Sequence, residues 1–132
     1  MSSERVYTRP VIEKLGVRPG MRVALLCVSD GPFLAALATL TDDVTEGRPL
    51  PDSDLVVLAA NSLEELAPLA DLRHSLKPAG AIWVVSRKGK AATLRDVDVM
   101  AMGRAAGLID NKVVAFSDTH TSLRLVIPRN QR

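Results

Sequence analysis

The residues that could do chemistry in this chain fall into a few short groups. In "SRKGK", 86–90, Arg87, Lys88 and Lys90 surround a glycine shortly before Thr93, a helix N-cap by type. Cationic side chains beside free helix N–H groups suit an anion, so these three are the candidate anion-binding set. The plain alternative is a solvated basic loop. "SDG", 29–31, offers Ser29, Asp30 and Gly31 ahead of Pro32. Asp30 either orients a ligand or caps the following helix. Cys27 ends an apolar run with no histidine near it in sequence, which predicts a buried structural thiol rather than a nucleophile. His120 stands beside Asp118, Thr119 and Thr121; the pairing with Asp118 has the form of an acid–base couple, and the setting reads as a surface turn. His74, between Arg73 and Lys77, reads as solvent-facing, and Trp83 as core or an interface anchor. One cysteine excludes an internal disulfide and any CxxC site, and two histidines would leave a zinc ion leaning on carboxylates.

These residues must be positioned by one domain. The chain has 132 residues and 47% hydrophobic content, enough for a single core over 1–132 with residues 1–10 as an irregular polar tail. Seventeen basic residues against fifteen acidic leave a net charge of +2, too weak to indicate nucleic acid. No apolar run reaches membrane-spanning length and the N-terminus lacks the apolar stretch of a signal peptide, so a cytoplasmic protein is expected.

"PVIEKLG" predicts a short helix from Pro10 to Gly16. "RVALLCV", 22–28, "DLVVLAA", 54–60, and "AIWVVS", 81–86, are continuous apolar runs that suit strands covered on both faces. A helix follows Pro32 to about Thr41, and a short edge strand is expected near Val44. Ser62 and Glu65 match a capping box that opens a helix to about Leu76, kinked or restarted at Pro68. "KPAG" reads as the turn into the third strand. Leu94, Val97, Ala101, Ala105 and Leu108 recur at helical spacing and predict one buried face, with Gly107 closing the helix. "NKVVAFSDTHTSLRLVIP" reads as an antiparallel hairpin around "DTH", whose "SLRLVIP" arm is a possible pairing edge for a homodimer. The fold class that follows is α/β: a three-layer sandwich with a mostly parallel, Rossmann-like sheet of about six strands ending in an antiparallel hairpin.

"VRPGMRVALL" and "SLKPAGAIWVV" resemble the turns into the first and fifth strands of the class I S-adenosylmethionine-dependent methyltransferase domain. The whole chain is also similar to a family of small bacterial proteins with this truncated layout and no assigned activity. The methyltransferase pattern puts an acid and alternating glycines at the end of the first strand. Aligned on it, Leu25 takes the place of the acid, Cys27 and Ser29 replace two glycines, and Gly31 remains. Glycines at these positions let the backbone pass close under the cofactor. The resemblance implies that Ser29, Asp30, Gly31, Glu46 (the ribose-binding acid) and Asn61 would be the contacts if an adenosyl cofactor bound. The segment from 42 to 53 is too short for the second helix and third strand of a complete domain.

Three functions follow. The first is a non-enzymatic methyltransferase-like domain that has lost standard S-adenosylmethionine binding, has no cofactor, and serves as a binding or regulatory protein for a partner or an anionic small molecule across loops 29–31 and 86–90. Its steric premise is that bulk at 25, 27 and 29 fills the cofactor's seat. The second is an S-adenosylmethionine-dependent methyltransferase with a remodelled turn. The third is nucleic-acid binding through Arg87, Lys88, Lys90, Arg124, Arg129 and Arg132, which requires all six on one face.

Overall fold

The computed structural model describes residues 10–132; the tail read at 1–10 lies outside the described residues except for Pro10. The elements in order are α1 (Val11–Lys14), β1 (Val23–Leu26), α2 (Gly31–Ala38), β2 (Val44–Glu46), β3 (Ser53–Ala59), α3 (Leu69–Arg73), β4 (Leu76–Arg87), α4 (Asp96–Ala105), β5 (Ile109–Ala115) and β6 (His120–Val126). They form one six-stranded sheet in the order β2-β1-β3-β4-β6-β5. The β2–β1, β1–β3 and β3–β4 pairs are parallel, while β6 runs antiparallel to both β4 and β5. No helix among the described residues is long and apolar enough to cross a membrane.

The apolar strands sort their side chains by alternation onto two cores. Val23, Leu25, Leu55, Val57, Ala81, Trp83 and Val85 meet α1 and α2 through Ile12, Leu15, Phe33 and Leu37. Ala24, Val56, Leu58, Ile82, Val84, Leu123 and Leu125 meet the other layer through Leu66, Leu69, Leu72, Leu94 and Val99. Each large side chain so buried contributes about 1.5–3 kcal/mol, which is why these strands carry no polar face. The indole N–H of Trp83 donates to the Leu15 carbonyl at 3.0 Å and ties the end of α1 to the sheet.

Several expectations need correction. The helix expected from Ser62 restarts at Pro68, as its sequence implies, but its first part is only a 3-10 turn at Glu64–Leu66 and its end falls short, Leu76 already belonging to β4. "KPAG" is not a turn but a bulge within β4. Ser53 pairs with Leu76 and Leu55 with Ala81, so two residues further on β3 correspond to five on β4. In α4 the expected face is wrong: Val97 is 56% exposed, and Ala101 and Ala105 are exposed too. The buried positions are Val99 and Gly103, with Leu94 and Leu108 flanking the helix rather than lying on it. A Cβ on Gly103 would lie 2.8 Å from Leu125 Cδ2, so the absence of a side chain sets how closely this helix approaches the sheet. Finally, β6 is an interior strand, so "SLRLVIP" offers no free edge; the outer strand is β5.

Candidate ligand-binding site

Ligands of open parallel sheets sit beyond the carboxyl ends of the strands. There, this structure has a cavity of about 240 Å³ between the β1–α2 turn, the ends of β3 and β4, and the hairpin turn. Val28, Ala59, Val85 and Phe116 supply its apolar walls, and Cys27, Ser29, Asp30, Thr119 and His120 its polar ones. Phe116 is fixed by a tilted contact with Phe33, ring centroids 5.1 Å apart.

The β1–α2 turn keeps an unusual backbone. Cys27 has φ +63°, in the left-handed region that favours glycine. Its thiol is exposed, correcting the expectation of a buried one. Leu25, in contrast, is 4% exposed and packs among the α1 and α2 side chains. It is not among the residues that line the cavity, so of the three positions only Cys27 and Ser29 contribute to the expected obstruction. The Asp30 carboxylate accepts from the Phe33 N–H at 2.9 Å and caps α2. Gly31 opens that helix, with nothing within 4 Å of where a Cβ would be. Glu46 is exposed at the end of β2, opposite Leu25 in the register.

Asn61 ties neighbouring loops together through its backbone and its side-chain oxygen. Its N–H donates to Glu65 Oε1 (2.8 Å), its side-chain oxygen accepts from the Arg87 N–H (2.9 Å), and its carbonyl accepts from the Thr93 hydroxyl (2.6 Å). Thr93 is thus not the N-cap of α4; Arg95 is, its N–H donating to the Asp98 carboxylate at 3.0 Å. The Arg95 side chain hydrogen-bonds the same carboxyl, and these contacts hold Asp98 below the usual carboxylate range. Arg87 ends β4, Lys88 donates its N–H to the Thr119 carbonyl at 3.1 Å, and Lys90 sits in a 3-10 turn. None of the three lines the 240 Å³ cavity. They also stand apart from Arg124, Arg129 and Arg132. Arg124 pairs with Trp83, four residues back along β4 from Arg87, and the chain beyond β6 lies at the opposite end of the sheet. The six cations expected to act together are thus split between the two ends of the sheet.

Sequence reasoning missed the hairpin's part in the site. His120 N–H donates to Ser117 Oγ at 3.2 Å and its Nδ1 hydrogen-bonds Thr119 Oγ1 at 2.7 Å, leaving Nε2 as the nitrogen available to a ligand. The motif "SDTHT" is visible in sequence; that it folds over the end of β1 is not. No group of three or more histidine, cysteine or acidic residues among the described residues could hold a metal ion.

No family model and no curated protein matches the chain. Solved structures do. An S-adenosylmethionine-dependent methyltransferase from Aquifex aeolicus aligns over 89% of this chain and 88% of its own, with 16% identity and a TM-score of 0.70. The calicheamicin-biosynthesis methyltransferase CalO1, in its S-adenosylhomocysteine-bound form, aligns over 89% of this chain and 52% of its own, at 17% identity and a TM-score of 0.62. A protein solved in complex with the Haloferax volcanii Trm112 methyltransferase activator covers 89% and 86%, at 13% identity and a TM-score of 0.62. This is a class I methyltransferase fold. With six residues between β2 and β3 and no helix there, it is a truncated version of that methyltransferase-like domain.

Several positions depart from the methyltransferase cofactor pattern in residue type or are engaged elsewhere. The acid expected at the end of β1 is a leucine turned into the core, Asn61 is committed to other loops, and Asp30 serves a helix cap. Ser29, Gly31 and Glu46 are exposed, and Ser29 and Asp30 line the cavity.

Proposed function

We propose that this chain uses the methyltransferase scaffold for binding, without the standard grip on S-adenosylmethionine. The reading rests on the carboxyl-end cavity. At about 240 Å³ it falls below the roughly 300–1,000 Å³ usual for cofactor-sized ligands, and two of its walls are side chains where the fold's pattern has glycine. Such a cavity suits a compact molecule contacting Ser29 and His120, or a side chain inserted by a partner protein. That a neighbour of this fold is held by an activator protein supports the partner-binding version. The reading takes the protein to act in the cytoplasm.

Isothermal titration with S-adenosylmethionine and S-adenosylhomocysteine tests it. The expected result is no saturable binding tighter than about 1 mM, equivalent to roughly −4 kcal/mol. Micromolar affinity that Glu46→Ala abolishes would overturn it. One observation favours a second reading, a methyltransferase with a remodelled turn: Cys27 keeps the left-handed backbone, Leu25 does not intrude, and Glu46 remains at the end of β2. The same titration decides between the two.

A further inference from the structure

A second cavity, larger than the one at the carboxyl end, lies at the other end of the sheet. It measures about 490 Å³ and opens between the end of α1, the start of β3, the β4 bulge and the β5–β6 hairpin. Five cationic side chains line it, Lys14, Arg18, Lys77, Lys112 and Arg124, against one carboxylate, Asp54. That carboxylate is already occupied, accepting from Lys77 Nζ at 3.0 Å and from the Arg22 N–H at 2.8 Å.

The sheet register makes this more than a basic surface. Trp83, Arg124 and Lys112 are direct partners across β4, β6 and β5, so they form one row across three adjacent strands. Arg124 and Lys112 are therefore like charges placed opposite each other, an arrangement that destabilises a sheet. No ion pair of Arg124, Lys112, Lys14 or Arg18 occurs among the described residues. Arg124 is half-buried, and burial together with the charge of Arg132 pulls its guanidinium below its ordinary value. An uncompensated cation in this position costs stability that an anion in the cavity would restore.

Two further features hold the cations in place. The indole of Trp83 anchors the Leu15 carbonyl, which brings Lys14 and Arg18 to the rim. The β4 bulge folds so tightly that a Cβ on Gly80 would meet the Ser53, Lys77 and Asp54 carbonyl oxygens at 3.0, 3.1 and 3.2 Å, and this close fold carries Lys77 over the mouth.

We infer that the amino end of the sheet is a second binding site, built for a small, multiply charged phosphorylated molecule held between Arg124, Lys112, Lys14 and Lys77. Guanidinium and ammonium groups converging on a cavity recognise phosphoryl oxygens by charge-assisted hydrogen bonds. The apolar floor of Leu55, Ala81 and Leu15 leaves room for an organic portion.

The experiment is calorimetric titration of the full chain at low ionic strength with inorganic phosphate, pyrophosphate and tripolyphosphate. Affinity should rise along that series and fall with added salt. Lys112→Gln and Arg124→Gln should each weaken tripolyphosphate binding about tenfold or more, the size of one lost charge-assisted contact. The triple replacement Arg87→Gln, Lys88→Gln and Lys90→Gln should leave it unchanged. Lys112 is exposed on the outer strand, so its variant carries the test if Arg124→Gln misfolds. Absence of heat with tripolyphosphate overturns the inference, as does loss confined to the triple variant. Tighter binding of a single-stranded oligonucleotide than of tripolyphosphate overturns the small-molecule assignment. Titration with S-adenosylmethionine probes the opposite end of the sheet, so its outcome leaves this test untouched.

Discussion

Replacing Cys27 by glycine separates the backbone of the β1–α2 turn from its side chain. At φ +63° an L-residue carries about 1–2 kcal/mol of left-handed strain that glycine escapes. Glycine in turn loses about 0.5–1 kcal/mol through its greater freedom in the unfolded chain. Because the thiol is exposed, truncating it forfeits little burial. The balance favours glycine by about 0.5–1 kcal/mol, or roughly 2–4 °C in Tm for a chain of this size. Cys27→Ala keeps the strained backbone and should stay within about 0.5 kcal/mol of the parent. Urea unfolding with an unchanged slope measures both. A glycine variant less stable than the alanine variant would refute the argument, since the thiol would then be contributing packing that its exposure denies. Combined with Ser29→Gly, the same change clears both side chains from the cavity wall. If they are part of what keeps an adenosyl ligand out, the double variant gains affinity for S-adenosylhomocysteine; no gain rejects the steric component.

Gly80→Ala should destabilise the fold by about 1–3 kcal/mol in urea, because its new Cβ meets three backbone carbonyls that cannot rotate away. Asp30→Ala removes the α2 cap and should cost about 1 kcal/mol, whereas Asp30→Asn retains most of it. The Asp98 carboxyl should titrate below the ordinary carboxylate range by NMR and move up toward it in Arg95→Ala. A lowered folded-state value stabilises the protein above the unfolded-state pKa, and that contribution disappears as pH falls through the folded-state value. The Arg95→Ala variant should therefore lose stability at neutral pH and converge with the parent in acid.

The sheet was legible because its strands are covered on both faces, which leaves runs at 22–28, 54–60 and 81–86 that are apolar but for an end residue, Arg22, Asp54 and Ser86. The hairpin was legible from a polar turn between alternating segments. The buried face of α4 was not, because its innermost contact is made by Gly103, and a glycine adds nothing to a hydrophobic period. From 62 to 76 both signals are real: the capping box forms, Glu65 N–H donating to Ser62 Oγ at 3.2 Å, and the helix restarts at Pro68; what the sequence did not show is that the box opens only a 3-10 turn. At the candidate site, local sequence singled out Ser29 and Asp30, and His120 beside Thr119, but not that the second group joins the first from a turn about ninety residues away when the sheet closes, nor that Phe116 comes with it. Leu25 misled because sequence gives the residue type but not the face it takes; alternation along β1 turns it inward. The amino-end cavity depends on a cross-strand match of Lys112, Arg124 and Trp83, a signal that exists only once the register is known.

The twelve residues of β4 run past both cavities: Lys77, Ala81 and Trp83 border one, and Val85 borders the other. A strand hydrogen-bonded on both sides transmits displacement along its axis rather than absorbing it. The sole slack in β4 is the three-residue surplus at its bulge, next to the cationic cavity. Occupancy that tightened that slack would be felt at Val85, and linkage would make the effect mutual. The bulge is thus the place where a mechanical connection between the two ends could be cut without touching either seat.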